Sequence, residues 1–156
     1  MLFLVDGMLG NVAKKLLLLG YDTDYFSGMN DSELIKKAKH ENRVIISKDR
    51  QLIANAKKSA ISTIQITKDD EIEQFLEILN TVHLEVDKIS GDTARCTKCN
   101  SQTTEISKSE ILDKVPSKVL EFNEKFWECD KCKQIYWEGT HVKKLQDFVN
   151  KIKIQT

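Results

Sequence analysis

Two closely spaced cysteine pairs, Cys96-Thr97-Lys98-Cys99 and Cys129-Asp130-Lys131-Cys132, set the strongest constraint on this 156-residue chain. A two-residue gap lets each pair wrap one side of a tetrahedral ion through a short turn, and four thiolates complete the shell of a structural zinc. The pattern predicts a small zinc ribbon held by Cys96, Cys99, Cys129 and Cys132. Two disulfides are the competing reading. The opening Met1-Leu2-Phe3-Leu4-Val5-Asp6 lacks the basic start and long apolar region of a signal peptide, and no run approaches the roughly 18 apolar residues of a membrane span. The chain is therefore expected to be cytoplasmic, with no membrane partner, where thiols stay reduced and the metal reading is favoured. A ribbon with all four positions filled leaves no open site for zinc chemistry, which directs the search for catalysis to the cysteine-free first part.

Hydrophobic patterning there alternates between two periods. The apolar run Leu2 to Val5 ends at Asp6-Gly7, and Leu9, Val12, Ala13, Leu16, Leu17 and Leu19 follow at helical spacing up to Gly20. Tyr21 to Tyr25 reads as a second strand and Asp31-Ser32-Glu33 as the capped start of a helix carrying Leu34, Ile35 and Ala38. Val44 to Ser47 is a third strand, followed by a helix over Arg50 to Lys58. A fourth strand over Ser62 to Ile66 precedes a helix over Glu71 to Leu79. This order predicts an α/β fold with a parallel sheet and helices on its faces. The polar, glycine-containing stretch Lys88 to Thr93 is the expected boundary, giving a first domain over 1–89 and a ribbon domain over 90–156. Within the second, short helices over Lys108 to Asp113 and Ser117 to Asn123, strands over Phe126 to Glu128 and Gln134 to Trp137, and a closing helix from Thr140 to about Lys151 are expected.

In an open parallel sheet, ligands bind outside the carboxyl ends of the strands. Asp6 ends the first strand, Asp31 follows the second, and Asp49 lies just past the third. Each also has a local explanation, Asp31 and Asp49 as helix N-caps and Asp6 as a turn former. Jointly they suit a magnesium or manganese site, because hard divalent ions take oxygen ligands and complete their shell with phosphate oxygens. Glu33 is a possible supporting acid. With 24 basic against 24 acidic residues, no global field draws in nucleic acid, so local cations such as Lys14, Lys48 and Arg50 are the candidate phosphate contacts.

The stretches Phe3-Leu4-Val5-Asp6-Gly7-Met8-Leu9-Gly10, Leu18-Leu19-Gly20-Tyr21-Asp22, Asp31-Ser32-Glu33-Leu34 and Ile46-Ser47-Lys48-Asp49-Arg50-Gln51-Leu52 together resemble the Mut7-C RNase family. So do Phe126-Trp127-Glu128-Cys129 and Tyr136 through His141. The resemblance implies a PIN-like nuclease domain followed by a zinc ribbon. Asp6, Asp31 and Asp49 are then the metal-binding catalytic acids, and Ser47 the small hydroxyl residue two positions before the last of them. It further implies metal-assisted hydrolysis of phosphodiester bonds in RNA, expected to be single-stranded, in RNA processing or turnover. One departure stands out: PIN domains often carry a serine or threonine after the first aspartate and a clear fourth acid, whereas this chain has Gly7, with only Glu33 or Asp24 available.

Phe126, Trp127, Tyr136 and Trp137 cluster around the second cysteine pair beside Lys98, Lys131 and Lys133. Aromatic faces next to cations can stack unpaired bases, which makes Trp127 and Trp137 candidate nucleic-acid contacts, with burial in a small ribbon core as the other reading. His141 reads as a helix-start residue. The main competitor to the ribonuclease is a catalytically silent RNA- or ribosome-binding adaptor. A phosphoacceptor receiver is disfavoured because Asp6 has no paired acid, and a redox dithiol because the cysteines form two separated pairs.

Overall fold

The computed structural model describes residues 1–86 and 89–156, with residues 140 and 141 described for their backbone alone. The chain divides into two compact units, Met1–Leu16 with Tyr21–Glu85 and Leu17–Gly20 with Val86–Thr156.

In the first unit, strands β1 (Leu2–Asp6), β2 (Asp22–Phe26), β3 (Val44–Ser47) and β4 (Thr63–Gln65) form one parallel sheet in the order β2-β1-β3-β4. Four helices alternate with them: α1 (Gly10–Leu18), α2 (Asp31–Glu41), α3 (Arg50–Lys58) and α4 (Glu71–Thr81). A three-residue 3-10 turn, Gly7–Leu9, joins β1 to α1. Because the chain moves from β1 out to β2 and then returns across β1 to β3, right-handed crossovers put α1 on the face opposite α2 and α3. Packing agrees: Leu4 and Ile45 form one core cluster with Leu34 and Ala38 of α2 and Leu52, Ile53 and Ala56 of α3. Phe3, Val5 and Ile46, alternating with these along β1 and β3, are also fully buried. The sheet thus carries helices on both faces, which explains the unbroken apolar runs in β1 and β3.

Helix ends follow the expected chemistry with one correction. Asn30, and not Asp31, is the N-cap of α2, its side chain accepting from Glu33 N at 2.9 Å, so Asp31 becomes the first helical residue. Asn42 ends the same helix in the left-handed conformation with φ 55°, a position asparagine tolerates. Near the amino ends of the strands, the Arg43 side chain, 9% exposed, bonds Asp22 Oδ1 at 2.8 Å and the Phe3 carbonyl at 3.0 Å. Its Nε pairs with Glu41, and its Nη2 lies 3.6 Å from Asp24. Burial alone would lower the guanidinium pKa, but the hydrogen bonds to Glu41 and Asp22 and the charges of Asp24 and Asp22 raise it.

The second unit contains an antiparallel sheet, β5 (Thr103–Ile106), β6 (Phe126–Cys129) and β7 (Ile135–Trp137), in that order, with helices α5 (Ser117–Phe122) and α6 (Thr140–Gln155). The helix expected over Lys108 to Asp113 is only a 3-10 turn, Lys108–Glu110, ending at the fully buried Ile111. Phe126, Ile135 and Ile111 form one small core, and Ile89, Leu145 and Val149 another, the latter joined by Leu18 and Leu19 from the end of α1. Lys88, the first residue of the expected linker, lies outside the described residues. The rest of that stretch folds onto the second unit: Ile89 is buried, and a Cβ on Gly91 would fall 2.2 Å from the Trp127 ring. No helix among the described residues is long and apolar enough to cross a membrane.

Candidate active site and metal centre

Strand order places a topological switch point between β1 and β3, where consecutive crossovers depart in opposite directions and leave a crevice at the carboxyl edge. The register pairs Val5 with Ile46, which sets Asp6 beside Ser47 at this edge. Ser47 is fully buried and links two of the three strand-end acids. Its hydroxyl donates to Asp6 Oδ2 at 2.7 Å, and its oxygen accepts from the Asp49 backbone N–H at 3.0 Å. Asp6 Oδ1 accepts from Met8 N at 3.2 Å, and Asp49 Oδ1 caps α3 by accepting from Gln51 N and Leu52 N at 2.9 and 3.2 Å. Four hydrogen bonds thus fix the two carboxylates before any ligand is considered.

Asp31 stands in the first turn of α2 with Glu33, where negative charge complements the helix dipole. Its carboxylate is relieved of the capping role expected for it, which Asn30 fills. Lys14 is exposed on α1, Arg50 is exposed at the first position of α3, and Lys48 is half-buried between Ser47 and Asp49. Asp24, weighed as a further acid, pairs instead with Lys37 at 2.9 Å and with Arg43, so its charge is committed to that cluster. Gly7 also has a local cause: a Cβ there would meet the Phe26 carbonyl oxygen at 2.6 Å, leaving no space for the serine or threonine found in PIN domains.

A feature of this edge escaped the sequence reading. The β4–α4 connection carries Asp69 and Asp70, and Glu71 opens α4; Lys48 Nζ bonds Asp69 at 2.8 Å, while Glu71 receives Lys15 Nζ at 2.9 Å and Asn11 Nδ2 at 2.8 Å. The Lys48 ammonium holds the exposed Asp69 carboxyl below its usual range through its hydrogen bond and charge. Asn11, Lys48, Asp69 and Glu71 line a cleft of about 390 Å³. The signal in the sequence is the acid run Asp69-Asp70-Glu71 between the fourth strand and the body of its helix.

In the second unit the two cysteine turns are built alike. Cys96 N bonds Ser101 O and Cys129 N bonds Gln134 O, both at 2.9 Å, and each turn closes through a left-handed residue, Asn100 and Lys133, each with φ 65°. Backbone N–H groups of Lys98 and Cys132 point at the sulfurs of Cys96 and Cys129, both at 3.4 Å. The sulfur atoms of all four lie within 4.8 Å of one another, with Cys96 to Cys132 at 3.6 Å and Cys99 to Cys129 at 3.4 Å. Zinc–sulfur bonds of about 2.3 Å require sulfurs about 3.8 Å apart in a tetrahedron, so the donor set fits such an ion. Hydrogen bonds from Ser101, side chain first and then backbone, pull the Cys99 thiol down to about 6, while burial pushes Cys129 up to about 11. Tyr136 Oη reaches Cys96 Sγ at 3.0 Å, and its pKa is raised by burial and by that sulfur. Among the described residues this is the one group of three or more His, Cys, Asp or Glu side chains gathered to metal-sharing distance; the strand-end aspartates are not drawn together to that degree.

Trp127 requires a correction. It is 2% exposed, its indole N–H donates to Asp92 at 3.0 Å and its ring packs on Gly91, so neither face is open to a base. Trp137 is half-buried, tilted against Phe126 at a centroid distance of 6.4 Å.

The family model of the Mut7-C RNAse domain matches residues 1–149. The chain belongs to that family. In this Mut7-C chain the matched span contains the strand-end aspartates and all four cysteines. Neither a curated protein nor a solved structure matches it. Membership in an RNAse family gives the chain a ribonuclease-related role with RNA as the implied substrate.

Proposed function

We propose that the chain is a metal-dependent ribonuclease that hydrolyses RNA phosphodiester bonds at the carboxyl edge of a PIN-like domain, with a zinc ribbon as its second part. The observation that carries this reading is the Asp6–Ser47–Asp49 link at the switch point. Asp6, Asp49 and Asp31 would hold magnesium or manganese, with Glu33 in support; such ions supply Lewis-acid charge and a hydroxide nucleophile at neutral pH. The chain's own residues do the positioning. Ser47 fixes the spacing of Asp6 and Asp49, the capped amino end of α3 holds Asp49 against β3, and Lys14, Lys48 and Arg50 neutralise backbone phosphates of single-stranded RNA. Cys96, Cys99, Cys129 and Cys132 would hold zinc, with Trp137 offering a face to an unpaired base.

The RNA- or ribosome-binding adaptor remains the second reading. It is favoured by the strand-end carboxylates being engaged by the chain's own donors and not gathered around a common point. Cleavage of a labelled single-stranded RNA with manganese separates the two. The ribonuclease reading expects cleavage that disappears in Asp6→Asn and Asp49→Asn while RNA is still bound. Binding without cleavage by the wild type, in either metal, would leave the adaptor.

A further inference from the structure

The cleft lined by Met8, Asn11, Lys48, Asp69, Glu71 and Gln74 lies among the β1–α1, β3–α3 and β4–α4 connections, on the edge that carries Asp6 and Asp49. Its charges are paired in an unusual way for a cavity wall. The lining cation Lys48 is held by Asp69, and the lining carboxylate Glu71, from the same segment, is held by the Lys15 ammonium and by the Asn11 amide. Lys15 is 17% exposed and Lys48 31% exposed, whereas Asp69 is 99% and Glu71 47% exposed. The cations are thus recessed and the anions stand on the outside. Gln74, nearly buried, anchors the segment by donating to Lys68 O at 2.9 Å, and Asp70 caps α4 below it.

The Lys48 ammonium and the Asn11 amide on the lining, with the Lys15 ammonium bonded to the lining Glu71, form a donor set suited to oxyanions, and a phosphate can accept from the same donors as the carboxylates they now hold. An ion pair with one partner fully exposed is screened by solvent and weakly held, so a polyanion can displace it. We propose that this cleft is a backbone-phosphate subsite for the RNA strand, in which Glu71 and Asp69 occupy the places of two successive phosphates until substrate displaces them. The inference rests on the ribonuclease reading and deepens it by giving the strand a path from the strand-end acids along α1 to the amino end of α4. The two carboxylates act as an anionic stand-in that weakens binding of short or weakly charged ligands and yields to a continuous phosphate chain.

The test uses the full chain loaded with zinc, a fluorescein-labelled single-stranded 12-mer RNA, calcium in place of manganese to prevent turnover, and a salt series. Asp69→Asn and Glu71→Gln are each expected to tighten binding about two- to five-fold, the converse of losing an exposed pair. The double variant should keep the wild-type slope of log K on log salt, because the same two phosphates are neutralised, whereas Lys15→Ala and Lys48→Ala should each flatten it by about 0.7. Lys15→Ala and Lys48→Ala should weaken binding, and Lys15→Ala should abolish the gain from Glu71→Gln. Thermal melts of each variant check folding, and Lys15→Met keeps the buried stem if the alanine variant is unstable. If the carboxylate variants bind with wild-type affinity and the lysine variants keep the wild-type slope while wild type cleaves RNA in manganese, the subsite is refuted and the ribonuclease reading stands. If wild type neither binds nor cleaves RNA, both fall together.

Discussion

Ser47 is the residue on which the geometry of the candidate site turns, and its removal has a calculable cost. In Ser47→Ala, Asp6 Oδ2 loses a 2.7 Å hydrogen bond and the Asp49 N–H loses its acceptor at a fully buried position. A hydrogen bond to a charged group contributes about 1.5–3 kcal/mol. For a unit of fewer than about 100 residues each kcal/mol moves the melting temperature by about 4–8 °C, so a fall of roughly 6–24 °C is expected. Both tryptophans, Trp127 and Trp137, belong to the second unit. Tryptophan fluorescence should therefore stay unmoved while helical circular dichroism, dominated by α1 to α4, reports the shift. Activity should fall further than stability, because releasing two acids by about 1 Å costs up to about 100-fold in rate, and the loss should appear in kcat with KM little changed. Ser47→Thr keeps the hydroxyl and should recover much of kcat, although its methyl crowds a filled core. A Ser47→Ala protein that melts and cleaves like the wild type would refute the reasoning.

Three further predictions concern the second unit. In metal-free protein at pH 7, brief iodoacetamide treatment should label Cys99, held down to about 6, well before the buried Cys129, pushed up to about 11, and prior zinc should protect both; peptide mapping reads the order. Since the folded Cys99 thiol sits below its ordinary value of 9.0, its contribution to apoprotein stability is full above that value and is lost as pH falls through about 6. Gly91→Ala should destabilise this unit by about 1–3 kcal/mol through overpacking against Trp127, visible as a red-shifted tryptophan emission with the first unit's circular dichroism unchanged.

Periodicity carried most of the fold. Apolar runs of four residues at β1 and three at β3, separated by helix-spaced leucines and alanines, read directly as a parallel sheet because both faces of those strands are buried. β5 was missed since Thr103-Thr104-Glu105 is polar and mostly exposed; only pairing with β6 makes it a strand. Asn30 and Asp31 are adjacent and both good caps, so the sequence does not separate them; only the hydrogen bond from Glu33 N to Asn30 does. At the site, Asp6, Ser47 and Asp49 were legible from their places relative to strand ends, whereas the pairing of Lys15 with Glu71 spans distant segments and leaves no local trace. Trp127 and Trp137 looked equivalent in sequence, and packing on Gly91 alone separates the buried ring from the accessible one.

Manganese soaked into crystals of the zinc-loaded protein tests the central claim most directly, with anomalous scattering at the four cysteines serving as an internal reference. The account predicts a manganese peak coordinated by Asp6 and Asp49 at the carboxyl edge, with the Asp31 carboxylate turned toward it. Strong zinc peaks accompanied by an empty edge at millimolar manganese would contradict it.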